Sequence, residues 1–234
     1  NINKKIARIR SKEFLDGKWS NLFNKPNLPI DVIISPEIEV AKSLFRKLEA
    51  PGTLDNVPFA NDKIKVLEIA VNKNCPVINT PLKNLTLKFS DFKANILGAV
   101  RKDRFVFLKK NDSLLEGDKA YVVASADQLN LILKSFGHEE KAATKILIVG
   151  GGNIGLNLAK LLETNFEGAR IKIIEKNKER AELLATELSS SIVICGDALD
   201  EEILKEANIE ETETILALTN DDEDNIMVCV LAEK

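Results

Sequence analysis

The run Ile146-Leu147-Ile148-Val149 breaks into Gly150-Gly151-Gly152-Asn153-Ile154-Gly155, and few folds accept a strand that ends in this way. Gly150, Gly152 and Gly155 form G-x-G-x-x-G in a strand-turn-helix, and each has a mechanical reason to lack a side chain. Gly150 allows the tight turn, Gly152 lets a pyrophosphate approach the backbone, and Gly155 lets the helix lie close on the strand. The helix start then faces the phosphates. Its free N–H groups and dipole favour an anion there by about 0.3–1 kcal/mol at an exposed site.

Strand-like segments at 145–149, 170–174, 192–195 and 214–218 alternate with helix-like ones at 153–163, 178–188, 200–207 and from about Glu223. Such alternation predicts an α/β domain, a Rossmann-like doubly wound parallel sheet with crossover helices. Ligands of these sheets bind beyond the carboxyl ends of the strands. The second strand runs out at Glu175, 20 residues past Gly155, where an acid can accept hydrogen bonds from both ribose hydroxyls and repel a 2′-phosphate. That favours NAD(H), or an adenosine nucleotide such as ATP/ADP, over NADP. The third strand ends in Cys195-Gly196-Asp197, beside the adenine in this architecture, and the fourth in Thr219-Asn220-Asp221-Asp222. An incidental surface glutamate and a purely structural glycine turn are the bland alternatives.

Upstream the pattern changes. Ser35-Pro36-Glu37 starts a helix, Ile38, Ala41, Leu44, Phe45 and Leu48 share one face of it, and Ala50-Pro51-Gly52 stops it. That stripe could serve its own domain or a partner helix. From about Asn56 to Phe136 short strands at 65–71, 94–101, 105–108 and 120–124 are followed by a closing helix over 127–136, which reads as a small α+β domain. A stretch without hydrophobic pattern, 138–144, separates the halves.

Composition excludes several classes. The chain has 44% hydrophobic and 29% charged residues and no apolar run near the roughly 20 residues of a membrane-spanning helix, so it is expected to be globular and not inserted in a bilayer. A net charge of -3 gives no field that would gather nucleic acid. Cys75, Cys195 and Cys229 are widely spaced and a single histidine accompanies them, which argues for a reducing cytoplasm and no zinc site. The carboxylates from Asp197 to Asp224, with Lys205 as their lone base, read as a solvated surface rather than an ion site. Hydride transfer needs a proton donor or acceptor near the reacting carbon. Here His138 falls in the linker, Tyr121 in a strand of the upstream domain, and Lys176, beside Glu175, is expected to be solvated. No catalytic residue is therefore assigned, and the glycine turn is read as binding without chemistry.

Ile148 to Gly155, Ile174-Glu175-Lys176-Asn177, Gly196-Asp197-Ala198 and Ala217-Leu218-Thr219-Asn220-Asp221-Asp222-Glu223-Asp224-Asn225-Ile226-Met227 together resemble the second nucleotide-binding half of the TrkA family, the cytoplasmic RCK/KTN-domain regulatory subunits of bacterial Trk potassium uptake systems. Ile6-Ala7-Arg8-Ile9-Arg10, Ile34-Ser35-Pro36-Glu37 and Leu115-Glu116-Gly117-Asp118 are similar to the family's upstream portion. The resemblance implies the following layout: 1–30 as the end of a preceding Rossmann half, 31–52 as a crossing helix, 56–136 as a regulatory C-terminal lobe, 137–144 as a linker, and 145–234 as a Rossmann domain incomplete at its C-terminus. It implies a middle piece of a longer, two-repeat chain. It implies a nucleotide-sensing subunit, a homo-oligomer (dimer or tetramer), held at the inner face of the plasma membrane by a membrane-embedded Trk-type potassium transporter subunit. Gly150, Gly151, Gly152, Asn153, Ile154 and Gly155 would serve the diphosphate, Glu175 and Lys176 the ribose side, Gly196, Asp197 and Ala198 the adenine, and Thr219 the sugar or nicotinamide side. An NAD-dependent dehydrogenase fragment and an assembly module with a vestigial pocket are the rival readings. A sheet ending at its fourth strand has an open edge, and the strand at 5–10 either fills it or stays near the crossing helix.

Overall fold

The fully apolar strand at the glycine turn occupies the interior of its sheet. In the computed structural model, which describes residues 2–9, 30–89 and 93–233, the strands that compose the C-terminal sheet are β8 (Lys145–Val149), β9 (Arg170–Glu175), β10 (Ile192–Cys195) and β11 (Thr214–Ala217). They pair in parallel in the order β10-β9-β8-β11. Ile146, Leu147, Ile148 and Val149 are each 2% exposed or less, as expected of a strand covered on both faces. The crossovers are α4 (Asn153–Asn165), α5 (Lys178–Glu187) and α6 (Glu201–Glu206), and α7 (Asp222–Ala232) follows β11. Leu147, Val149, Ile174, Ile194, Leu204 and Val228 form a core between the sheet and its later helices. The chain leaves β8 towards β9 and β10, then returns to the other side of β8 as β11. This reversal puts a topological switch point at the carboxyl end of β8, where the glycines lie.

Helix ends show how local sequence set these elements. The side chains of Asn177, Asp200 and Asp221 cap α5, α6 and α7 by accepting backbone N–H bonds from Arg180, Glu202 and Asp224. At α4 the N-cap is Gly152, which has no side chain to offer. The far end of α4 is tied down by Glu163, whose carboxylate accepts the backbone N–H groups of Ser189, Ser190 and Ser191 and the Ser191 hydroxyl.

Residues Arg46–Ala142 form a second unit, while Asn1–Phe45 belong with Ala143–Lys234; α1 (Pro36–Glu49) runs across this division. The second unit is built on an antiparallel sheet of β3 (Thr53–Phe59), β4 (Ile64–Ala70), β5 (Ala94–Arg101), β6 (Arg104–Phe107) and β7 (Lys119–Ser125), ordered β3-β4-β7-β5-β6. Besides a short helix α2 (Leu85–Lys88), α3 (Leu129–Ser135) supplies Leu129, Ile132 and Leu133 to a core with Leu67, Ile69, Ala99, Ala120 and Val122. Asp118, 1% exposed, is held by a fork from Arg101 at 2.8 and 2.7 Å and by the Leu115 N–H at 2.9 Å. Burial works against its charge, but the Arg101 bond and the Leu115 N–H outweigh burial and hold its carboxyl below the usual range.

The upstream strand at 5–10 appears as β1 (Ile6–Arg8), paired in parallel with β2 (Val32–Ile34) in a separate two-stranded sheet. It does not fill the open edge of the Rossmann sheet: β11 pairs only with β8 among the described residues. The register with β2 is held at both ends by backbone bonds from Ile9 to Ile34 and from Val32 to Lys5. On α1, Ala41 is buried and Ile38, Leu44, Phe45 and Leu48 are half-buried, with Phe45 meeting Phe166 edge-to-face at 5.9 Å. No helix among the described residues is long and apolar enough to cross a membrane.

Glu163 yields a pH prediction. Burial alone would raise its pKa, but the serine donors bring it from 4.5 to about 2. A depressed carboxylate pKa contributes stability that is complete above the unfolded value of 4.5 and is lost as pH falls towards about 2. Glu163→Gln should destabilise the Rossmann unit by about 1–3 kcal/mol at neutral pH, the scale of stranded bonds to a charged acceptor. In urea melts between pH 6 and pH 2, its deficit against the wild type should shrink as the pH drops; a constant deficit would show that the carboxylate charge is not what matters.

Candidate functional site

The turn after β8 is built by close approach. Gly150 has φ +100°, and a Cβ there would lie 2.8 Å from the backbone of Leu218, so both conformation and space demand glycine. The turn is stitched to both flanking strands, by the Gly150 N–H to the Ile174 carbonyl and by the Leu218 N–H to the Val149 carbonyl. Gly155, in the first turn of α4, would carry its Cβ 2.2 Å from the Gly150 oxygen. Its role is packing, since it lets the helix rest on the turn. Around Gly152 nothing lies within 4 Å of a would-be Cβ. The uncapped start of α4 therefore looks into open space.

At the carboxyl ends of the four strands lies a cleft of about 540 Å³, open solvent included, lined by Val149, Gly150, Ile174, Glu175, Lys176, Gly196, Asp197, Ala198, Leu199, Thr219, Asn220, Asp224 and Val228. The structure thus gathers Gly150, Glu175, Lys176, Gly196, Asp197, Ala198 and Thr219 from four strand ends onto one wall system. Of the other residues singled out in the sequence, Gly151 and Gly155 are buried in the turn, whereas Gly152 and Asn153 are exposed at the helix start and Ile154 is half-buried. None of these is among the residues that line the cleft.

Charges around the cleft are already engaged. Glu175 accepts the Gly151 N–H on one carboxylate oxygen and the Asn177 N–H on the other, each at 2.8 Å. A carboxylate has about four acceptor positions, so two such bonds leave capacity for hydroxyl donors. Lys176 and Asp197 pair at 2.6 Å. Hydrogen bonding between them holds the lysine pKa above and the aspartate pKa below their usual values, so both are charged at neutral pH. Thr219 is fixed by Asn225, which accepts the Thr219 N–H and returns a bond from its amide to the Thr219 carbonyl. A smaller cleft of about 410 Å³ at the opposite edge of the sheet offers less: its Lys172 is bonded to the Ala207 carbonyl and its Lys145 to Glu211.

The sequence reading missed Arg180. Its Nε donates to the Gly151 carbonyl at 2.7 Å and its guanidinium lies 3.4 Å from the Asn153 side-chain oxygen, which places a positive charge beside the glycine turn. The available signal was the Asn177 cap, which starts α5 so that the residue three positions on faces back towards the turn. Asn220, expected at the end of the fourth strand, and Asp224, legible only as part of an acidic run, line the cleft as well.

Comparison with known proteins agrees with this geometry. Residues 146–234 match the TrkA-N domain and residues 66–137 match the TrkA-C domain. The chain is 43% identical over 234 residues to a Trk system potassium uptake protein TrkA of Azorhizobium caulinodans, covering 100% of this chain and 51% of the relative. It is 36% identical to that of Vibrio alginolyticus, covering 100% and 50%. The chain thus spans about half the length of these relatives. Among solved structures, a GsuK channel superposes with a TM-score of 0.62 at 17% identity, over 98% of this chain and 39% of that one. A GsuK channel bound to NAD gives 0.59 at 18%, over 98% and 39%; at such identity these two speak for the fold. Fold and turn define the class: a Rossmann-like TrkA-N domain with a glycine turn, preceded by an antiparallel TrkA-C lobe. The chain belongs to the TrkA family.

The three glycines should respond differently to a methyl group. Gly155→Ala and Gly150→Ala should each destabilise the Rossmann unit by about 1–3 kcal/mol, the scale of overpacking, whereas Gly152→Ala should stay within about 0.5 kcal/mol of wild type. Chemical denaturation of the three variants without nucleotide checks this; equal losses at all three positions would contradict the open space at Gly152.

Proposed function

We propose that this chain is part of a regulatory subunit for potassium ion transport that binds NAD(H) or ATP/ADP in the cleft at the glycine turn and passes occupancy to a membrane-embedded Trk-type potassium transporter. The observation that carries this reading is the start of α4: it lacks a side-chain cap, follows directly on the turn whose Gly150 lines the cleft, and lies where the sheet order reverses. An anionic ligand there would take the place that Asn177, Asp200 and Asp221 fill on the neighbouring helices. Gly150 to Ile154 would hold the diphosphate with Arg180 beside them. Glu175 would take the ribose, Gly196, Asp197 and Ala198 the adenine, and Thr219 the far sugar or nicotinamide side. The NAD-bound state of the structurally similar GsuK channel supports a dinucleotide. The proposed work is sensing at the inner face of the membrane, in a homo-oligomer. A nucleotide shifts a gate only by its difference in affinity for two arrangements, typically about 1–3 kcal/mol.

No proton-transfer pair for hydride chemistry is apparent in the cleft: Lys176 and Asp197 neutralise each other, and Glu175 is committed to two backbone donors. These contacts support binding without turnover. Calorimetric titration with NAD, NADH, ATP, ADP and NADP should give micromolar or tighter binding for at least one of the first four and weaker binding for NADP. Glu175→Ala should cost about 1–3 kcal/mol of affinity, and Gly152→Ala should weaken binding without lowering stability. Heat-free titrations throughout would leave an assembly module with a vestigial pocket, and steady oxidation of NADH by a supplied carbonyl substrate would establish a dehydrogenase.

A further inference from the structure

Gly150, Gly151 and Gly152 follow one another with no side chain to fix the peptides between them, and a glycine peptide turns over at little steric cost. Here two of those peptides are fixed from outside. The Gly151 N–H donates to one oxygen of Glu175 at 2.8 Å, and the Gly151 carbonyl accepts from Nε of Arg180 at 2.7 Å. Both holders stand on one short segment that is itself tied together. The other Glu175 oxygen accepts the Asn177 N–H, and the Asn177 side chain accepts the Arg180 N–H at the start of α5. Leu184, one turn further along α5, closes this side, since a Cβ on Gly151 would lie 2.1 Å from it.

None of the described peptide bonds is cis, and in a trans peptide the C=O and the N–H point in opposite directions. Each outside bond therefore also sets the other end of its peptide. With the Gly151 N–H on Glu175, the Gly150 carbonyl is turned the opposite way, and it is found against Gly155, 2.2 Å from where a Cβ there would stand. In the next peptide, the Gly151 carbonyl on Arg180 turns the Gly152 N–H away from α5. Gly152 is exposed, and among the described residues nothing accepts its N–H. The charge of Arg180 is uncompensated as well. Its side-chain partners, the Gly151 carbonyl and the Asn153 amide oxygen at 3.4 Å, are both neutral, and among the described residues no carboxylate pairs with it. A cation at the start of a helix adds to the positive end of the dipole instead of opposing it, an arrangement that favours an anion beside it.

We propose that Arg180 is a positioning residue for a nucleotide diphosphate: through the Gly151 carbonyl it aims the Gly152 N–H at the phosphates, and its charge makes the turn select phosphorylated over unphosphorylated adenosine ligands. This role rests on the nucleotide reading above and deepens it, because it separates the residue that orients the turn from Glu175, which would take the ribose. A side chain that only braced α5 against the turn would behave differently. Its loss would loosen the domain and weaken every ligand alike.

Titration of the wild type, Arg180→Met and Arg180→Lys with ADP, NAD and adenosine separates the two. Calorimetry reads the first two ligands, and ligand-observed nuclear magnetic resonance reads adenosine, which keeps the base and ribose and has no phosphate. Methionine preserves much of the apolar stem without any donor, whereas lysine preserves the charge. Arg180→Met should weaken ADP and NAD by about tenfold or more, the scale of one hydrogen bond with a charged partner, and should leave adenosine within about twofold of wild type. Its circular dichroism spectrum should be unchanged, and Arg180→Lys should recover part of the loss. The amide resonance of Gly152 should shift when ADP is added to the wild type and shift less in Arg180→Met. Equal losses for all three ligands overturn the proposal in favour of a brace, and unmoved affinities for ADP and NAD overturn it outright. A folded wild type that binds none of the three removes the nucleotide reading itself and this role with it, a result that stands apart from any obtained with the variants.

Discussion

The approach of α4 to the Gly150 carbonyl, within 2.2 Å of where a Cβ on residue 155 would stand, is the constraint from which the rest of the Rossmann unit follows. Because the helix can rest on the turn, its first backbone N–H groups stay near the end of β8 instead of being lifted away from it. Gly150 bends hard enough to hydrogen-bond β9 and touch the exit of β11 at once. The strand ends on either side are thereby drawn to one level, and the side chains that leave them converge on one cleft. A single added methyl at either glycine would separate what the four strands bring together.

The polar groups around that cleft are arranged to be satisfied before anything binds. Glu175 holds the Gly151 N–H, Arg180 holds the Gly151 carbonyl, and Lys176 holds Asp197. The bonds from Glu175 and Arg180 satisfy the backbone of the buried Gly151, whereas the exposed Lys176–Asp197 pair adds little to stability. Under the proposed reading, a nucleotide would share or replace these bonds, and occupancy would thereby be linked to the conformation of the turn and of the starts of α4 and α5. The lobe makes the opposite use of charge: the Arg101 fork and the Leu115 N–H hold the buried Asp118 carboxylate at the turn of Gly117.

Much of this was legible in the residues. The alternation after residue 144 placed β8 to β11 and α4 to α7 to within a residue or two of their observed ends, because each element there has strong periodicity and a cap or glycine at its start. β3 escaped notice. Thr53–Phe59 lacks alternation, contains Pro58, and ends in Ala60, Asn61 and Asp62, which all take positive φ without being glycine. An edge strand tolerates proline because one row of its donors has no partner. Arg180 and Asn225 were missed for a different reason: each acts through a backbone group that only the folded turn brings near.

By itself the sequence determined the local grammar: which segments are strands and helices, where glycine must stand, and that an acid closes the second strand. Those follow from backbone sterics and hydrophobic period, which act over a few residues. Only the tertiary structure decided strand order, the partner of β1, the closing of Glu175 on the turn, and the outward aspect of Phe59, Phe105 and Phe107. Each of these depends on which distant segments meet, and alternation along a strand names two faces without saying which one the helix will cover.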